Sequence, residues 1–156
     1  MDEQLFNHID IWRKNIFFPD VTSINGGYLK ALKDAGKADI CLLGIGVNGH
    51  IAFNEPGSAF NSLTRYIDLA PETIKANSRY FDNDINAVPK QALTMGLKTI
   101  VDGSKKIIVI ATGANKKAII KKLSMLTEFD INVPASVLLY HPNVHIYLDK
   151  ESDFRK

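Results

Sequence analysis

An apolar run without alternation, Ile40-Cys41-Leu42-Leu43 and then Ile45, passes directly into a glycine-rich loop that ends in Asn48-Gly49-His50. This junction restricts the folds open to the chain. A strand that lacks in-out alternation reads as buried on both faces, the condition of a strand in a parallel sheet covered by helices. The loop leaves the carboxyl end of the strand, the edge at which open α/β sheets gather ligands. Before it, Ile24, Tyr28, Leu29 and Leu32 recur at helical spacing and Gly36 is placed as a C-cap, which predicts a helix over 24–35. The first residues are less patterned: Leu5, Phe6 and Ile9 form one short helical face, and 10–19 reads as irregular.

After the loop, 64–69 predicts a short strand. Pro71 then opens a helix to about Tyr80, with Glu72 favourable at its positive end. The stretch 88–101 reads as helical turns closed by Asp102-Gly103, and 107–111 as a second buried strand. A helix marked by Ala118, Ile119, Ile120 and Leu123 follows, then a short helix over 134–140 and a third buried strand over 144–148. No repeat, low-complexity tract or linker interrupts the 156 residues, and 46% of them are hydrophobic, so one domain spanning 1–156 is expected. Nineteen basic against seventeen acidic residues leave a net charge of +2, too small a field to predict nucleic acid or membrane as partner. Cys41 is the only cysteine and lies in the apolar run, where it reads as a small core hydrophobe with no disulfide. No basic-plus-apolar leader and no apolar run of membrane-spanning length is present, which sets the expectation of a cytoplasmic protein.

Gly44, Gly46 and Gly49 spell G-x-G-x-x-G behind a strand, with Asp68 about twenty residues on. A dinucleotide fingerprint passes straight into a helix that receives the pyrophosphate, whereas 50–60 holds Asn54, Pro56 and Gly57 and no helical period. Nicotinamide and flavin are therefore rejected, and no cofactor is expected. The glycines instead let the backbone turn and approach a small ligand, which makes Gly46 and Gly49 candidate binding residues. His50 and Glu55 share the loop with Asn48: an imidazole that titrates near neutrality, a carboxylate able to fix its tautomer, and an amide beside them. By themselves these residues read more readily as a hydrogen-bonded loop than as a catalytic set. Thr112 to Lys116 forms a second strand-to-helix connection, where backbone N–H groups, a helix dipole and a lysine could hold an anion. His141 and His145 have no acidic or cysteine partner placed to complete a metal site, and His8 has still less context.

The string LGIGVNGHIAFNEPG resembles the signature of the glucosamine-6-phosphate deaminases, a family related to the 6-phosphogluconolactonases. The likeness continues through TRYIDLAPETIKANSRYF, VPKQALTMGLKTI, IIVIATGANKKA and PASVLLYHPNVHIYLD, from Phe6 to Asp149. The resemblance implies a Rossmann-like three-layer αβα fold with a mostly parallel sheet. It also implies that the chain corresponds to the carboxyl-terminal portion, truncated on the amino-terminal side. There the family carries a phosphate loop and an aspartate base. The resemblance implies cofactor-free conversion of glucosamine 6-phosphate to fructose 6-phosphate and ammonia, so the expected partner is a phosphosugar. His50 would open the ring with Glu55 and Asn48 supporting it, and Arg79 and Lys116 would hold the phosphosugar, Lys117 being the alternative to Lys116. Asn48 stands where some members carry aspartate.

Without the phosphate loop and base, the isolated chain is expected to turn over poorly and to self-associate through an exposed sheet edge or apolar face. Two alternatives stay open, a lactonase-like hydrolase and a non-catalytic phosphosugar-binding module. The presence of Glu55 favours ring opening over lactone hydrolysis. Ser58 and Arg65 match positions used for an effector in some members, whereas Ile67 replaces a lysine there, so regulation is not expected; a homo-oligomer is admitted.

Overall fold

The computed structural model describes residues 1–18 and 27–155. Among these residues nine elements carry the fold: α1 (Gly27–Asp34), β1 (Cys41–Gly44), β2 (Arg65–Asp68), α2 (Pro71–Asn77), β3 (Gln91–Thr94), α3 (Leu97–Asp102), β4 (Ile107–Ala111), α4 (Lys117–Met125) and β5 (Val144–Leu148). Short 3-10 turns occur at Phe6–His8, Arg13–Asn15, Ser78–Tyr80 and Ala114–Lys116, with a longer one at Pro134–Tyr140. The expected start of the first helix at Ile24 and the end of the irregular segment at Pro19 lie outside the described residues.

Three strands form a parallel sheet in the order β1-β4-β5, with Leu43 beside Val109 and Val109 beside Ile146. This is the expected α/β architecture, and the crossovers that parallel pairing requires are supplied by α2, α3 and α4. The core forms on one face of this sheet. Ile107, Val109 and Ala111 of β4 are buried against Leu97 and Ile100 of α3, Ile119, Ile120 and Leu123 of α4, and Val137 and Leu138 of the 134–140 turn. α1 lies against α3, where a Cβ on Gly103 would stand 3.1 Å from the Leu32 side chain.

The opposite face differs from expectation. Leu42 of β1 is 64% exposed, Ile110 of β4 46% and Tyr147 of β5 58%, so none of the three strands is buried on both faces. Among the described residues β1 pairs with β4 alone and stands at an edge of the sheet. An unbroken apolar run specifies a strand whose two faces suit apolar surroundings; it does not supply the covering layer.

A second correction concerns 88–101. Only its latter half is helical, as α3; Gln91–Thr94 instead pairs antiparallel with β2, with Arg65 opposite Thr94 and Asp68 opposite Gln91. The strand satisfies the backbone groups of β2, and this pairing outweighs a mixed apolar pattern that fits either structure. Gly96 then makes the transition into α3. A Cβ there would fall 2.2 Å from the Ser62 carbonyl oxygen, so only glycine fits the approach of these two backbone segments. Pro71 occupies the first turn of α2 as predicted, with Glu72 behind it. No helix among the described residues is long and apolar enough to cross a membrane.

Candidate active site

The loop after β1 is closed by its own backbone. Gly46 N–H donates to the His50 carbonyl at 2.9 Å and Gly49 N–H to the Gly46 carbonyl at 3.0 Å, so the chain doubles back within five residues. The His50 ring then lies on the bare Cα of Gly46, where an added Cβ would fall 2.3 Å from Nδ1 and Cε1. Gly46 thus makes the space that the imidazole occupies. Gly49 turns the chain at φ +88°, and a Cβ on it would meet Val133 Cγ1 at 2.9 Å. It faces the core, and its carbonyl accepts the Ala135 N–H at 2.9 Å.

Glu55 is buried at 6% exposure, and each of its oxygens has a donor. Oε2 accepts from Asn48 Nδ2 at 2.8 Å, and Oε1 accepts from the hydroxyl of Thr73. Asn48 Oδ1 in turn accepts the His50 N–H at 3.2 Å, so one amide ties the histidine backbone to the carboxylate. His50 Nδ1 stands 3.4 Å from Glu55 Oε2 and is buried without a hydrogen bond, so the two groups are in charge contact and the bond itself is not closed. Burial pushes the His50 pKa below its ordinary 6.5, and the Lys116 charge adds to this while Glu55 opposes it. The ring is therefore neutral at pH 7 and able to accept a proton. A proton on Nδ1 faces the carboxylate and leaves Nε2 as the basic atom.

A cavity of about 310 Å³ opens at this loop, lined by Gly46, Asn48, His50, Glu72, Thr73, Arg79 and Lys116 among others. The structure thus brings together at the cavity five of the seven residues singled out in the sequence. Glu55 is reached through Asn48 and Thr73, and Gly49 lies behind the loop. Arg79, in the 3-10 turn after α2, forms no ion pair among the described residues; its guanidinium lies 4.7 Å from the centre of the Tyr80 ring. Lys116 is half-buried while Lys117 is exposed and outside the lining, which separates the two lysines that sequence left ambiguous. Burial, then the charge of Arg79, lowers the Lys116 pKa. Two cations that disfavour each other, at one cavity, are what an anionic ligand would relieve.

The connection over 112–116 departs from expectation in its donors. Gly113 N–H is taken by Asp149 Oδ2 at 2.9 Å, and Lys116 N–H by the Gly113 carbonyl at 3.0 Å, so neither is free for an anion. Thr73 and Glu72 are additions that sequence reasoning missed. Their helix was legible, but nothing in its spacing showed which face would meet the loop.

Asn54, fully buried, donates to the Ile51 and Met95 carbonyls at 3.0 and 2.8 Å and accepts Arg65 Nη1 at 2.9 Å, while Arg65 Nη2 reaches Ser58 Oγ at 3.2 Å. Ser58 and Arg65 line a second recess together with Glu55, Ile67 and Asp68. His141 is buried between the Ser104 carbonyl and the Asn143 N–H, and His145 meets Asn143 at the surface. Among the described residues no cluster of three or more potential metal ligands occurs.

Residues 1–146 match the family model described as glucosamine-6-phosphate isomerases/6-phosphogluconolactonase. The glucosamine-6-phosphate deaminase of Staphylococcus aureus strain MRSA252 is 48% identical over 158 residues, covering 97% of this chain, and the one from strain JH9 is equally similar. The chain spans 62% of the length of these relatives. A solved monomeric glucosamine-6-phosphate deaminase superposes with a TM-score of 0.89 at 39% identity, covering 97% of this chain and 64% of that one. The 6-phosphogluconolactonase of Thermotoga maritima shares the fold at a TM-score of 0.62 and 17% identity, covering 94% of this chain and 61% of that one. Joined to the sheet, the His50 loop and the cavity, these matches place the chain in the glucosamine-6-phosphate isomerase/6-phosphogluconolactonase family.

Proposed function

We propose that the chain belongs to an enzyme that converts glucosamine 6-phosphate to fructose 6-phosphate and ammonia, and that His50 opens the sugar ring. The observation that carries this reading is the juxtaposition, at one cavity, of a neutral imidazole backed by the Glu55 carboxylate with the cations Arg79 and Lys116. In ring opening the imidazole takes the proton of the anomeric hydroxyl, the bond between C1 and the ring oxygen breaks, and that oxygen receives a proton as the aldehyde forms. Glu55 supports the imidazolium that forms transiently, and Asn48 and Thr73 hold Glu55 in place. Arg79 and Lys116 would take the phosphate, the first through its planar fork of donors and the second as a point charge. Of the described residues that line the cavity, Glu72 is the sole carboxylate. Deamination in this form serves amino-sugar metabolism.

Ring opening can be read alone, because exchange between the two anomers of glucosamine 6-phosphate passes through the open aldehyde. Magnetisation-exchange NMR should show the chain accelerating that exchange, with His50→Ala losing roughly 10²–10⁴-fold of the acceleration. No acceleration, or acceleration unaffected by His50→Ala, overturns the assignment. Release of ammonia and fructose 6-phosphate in the same mixture tests the complete reaction.

A further inference from the structure

Lys116 does not sit at the cavity of its own accord. Burial disfavours its charge, Arg79 repels it, and no ion pair among the described residues offsets either effect. Its place is set by backbone: Lys116 N–H is bonded to the carbonyl of Gly113, the residue that turns the chain out of β4 at φ +90°. What fixes Gly113 lies on another strand. β4 and β5 pair up to Ala111 beside Leu148, so the next residue, Asp149, arrives next to the start of the connection.

Both oxygens of Asp149 are in use. Oδ2 accepts the Gly113 N–H at 2.9 Å, and Oδ1 accepts the Ser152 N–H at 2.8 Å with Ser152 Oγ at 2.7 Å. Ser152 is fully buried, and its hydroxyl also lies 2.8 Å from the Ala111 carbonyl, so its one proton serves either oxygen. Hydrogen bonds from Ser152, then from Gly113, hold the Asp149 carboxyl below the usual carboxylate range, and it stays ionised at neutral pH. The turn over 149–152 thus grips the end of β4 at the Ala111 carbonyl and at the Gly113 amide, the two points from which the lysine-bearing connection departs.

We propose that Asp149, supported by Ser152, is the positioning residue that places Lys116 for the phosphate of a phosphosugar; this rests on the reading of the His50 cavity given above. Asp149→Asn tests it, because the amide keeps the size but can offer only one acceptor oxygen where two N–H groups now bond. The 156-residue chain and its variants are titrated calorimetrically with glucosamine 6-phosphate and with glucosamine. Coupled neighbours in one hydrogen-bond network predict about three- to tenfold weaker binding of the phosphosugar in Asp149→Asn, with glucosamine unchanged. Ser152→Ala should act in the same direction to a smaller extent, and it serves as the test if Asp149→Asn fails to fold.

The decisive comparison is the Lys116→Ala background, where the Asp149 effect should vanish; a purely structural role would weaken both ligands and persist without the lysine. Such persistence, or unchanged phosphosugar affinity in both Asp149→Asn and Ser152→Ala, overturns the proposal while the site reading stands. If Lys116→Ala itself costs no phosphosugar affinity, or if the unaltered chain binds glucosamine 6-phosphate no better than glucosamine, the site reading fails and the positioning role fails with it.

Discussion

His50 Nδ1 and Glu55 Oε2 are 3.4 Å apart, close enough for the carboxylate to stabilise a proton on the ring, yet no hydrogen bond closes between them. The imidazole is thus poised by its neighbours more than it is bonded to them. Glu55 raises its pKa, while burial and Lys116 lower it with the larger combined effect. The midpoint of the His50 titration, followed by NMR, is therefore expected below 6.5. Glu55→Gln should move it further down and Lys116→Ala should move it up. Shifts of the same sign in the two variants would mean that the ring does not sense these charges.

Stability should follow the same shift. The unfolded chain takes a proton on this histidine near 6.5, before the folded chain does, so stability contributed by neutral His50 is fully present above 6.5. It declines as the pH falls from there through the folded pKa. In denaturant titrations across this window, His50→Ala should flatten the pH dependence, and an unchanged slope would assign that dependence elsewhere.

Gly46 and Gly44 separate the site from the strand that carries it. A Cβ on Gly46 collides with the His50 ring, whereas one on Gly44 meets nothing within 4 Å. Gly46→Ala should cost about 1–3 kcal/mol by overpacking and displace the His50 signals. Gly44→Ala should stay within about 0.5 kcal/mol. Urea denaturation with NMR of the imidazole protons reads both, and equal effects would contradict the packing described.

Thr73→Val tests the hydroxyl on Glu55 without changing side-chain shape. Losing a hydrogen bond to a buried carboxylate should destabilise the chain by about 1.5–3 kcal/mol, and Thr73→Ser should recover most of it. Equal stability of Thr73→Val and the unaltered chain would mean that the carboxylate finds another donor.

Asn54 is the buried junction between the loop and the β2–β3 ribbon. Asn54→Ala removes a buried donor to the Met95 carbonyl and the acceptor of Arg65 Nη1, and a loss of about 2–4 kcal/mol is expected in urea denaturation. A loss below about 0.5 kcal/mol would show that Arg65 and Ser58 hold the junction without it.

Sequence was most legible where one segment carries its own signal. The β1 run, the loop glycines, Pro71 at the start of α2 and the apolar face of α4 each state their structure locally. It was least legible where the answer lies on a partner segment. Leu42 looks the same whether or not its face is covered, and Gln91–Thr94 became a strand because β2 was there to pair with it. In the same way, Thr73 reaches Glu55 across eighteen residues and Asp149 takes the Gly113 amide across thirty-six, contacts that only the register of helices and strands creates. The residues of the candidate site were therefore visible, and the groups that hold them were not.

The bond from Ala135 N–H to the Gly49 carbonyl has a dynamic consequence. Opening the loop far enough to free His50 would break this bond and expose Val133 and Ile119, both of which are buried. Local fluctuation is thus coupled to loss of the core, and the amide of Ala135 should exchange with solvent as slowly as those of β4. A site bonded directly to the buried core is already ordered when ligand arrives, so little of the binding free energy is spent on ordering the His50 loop.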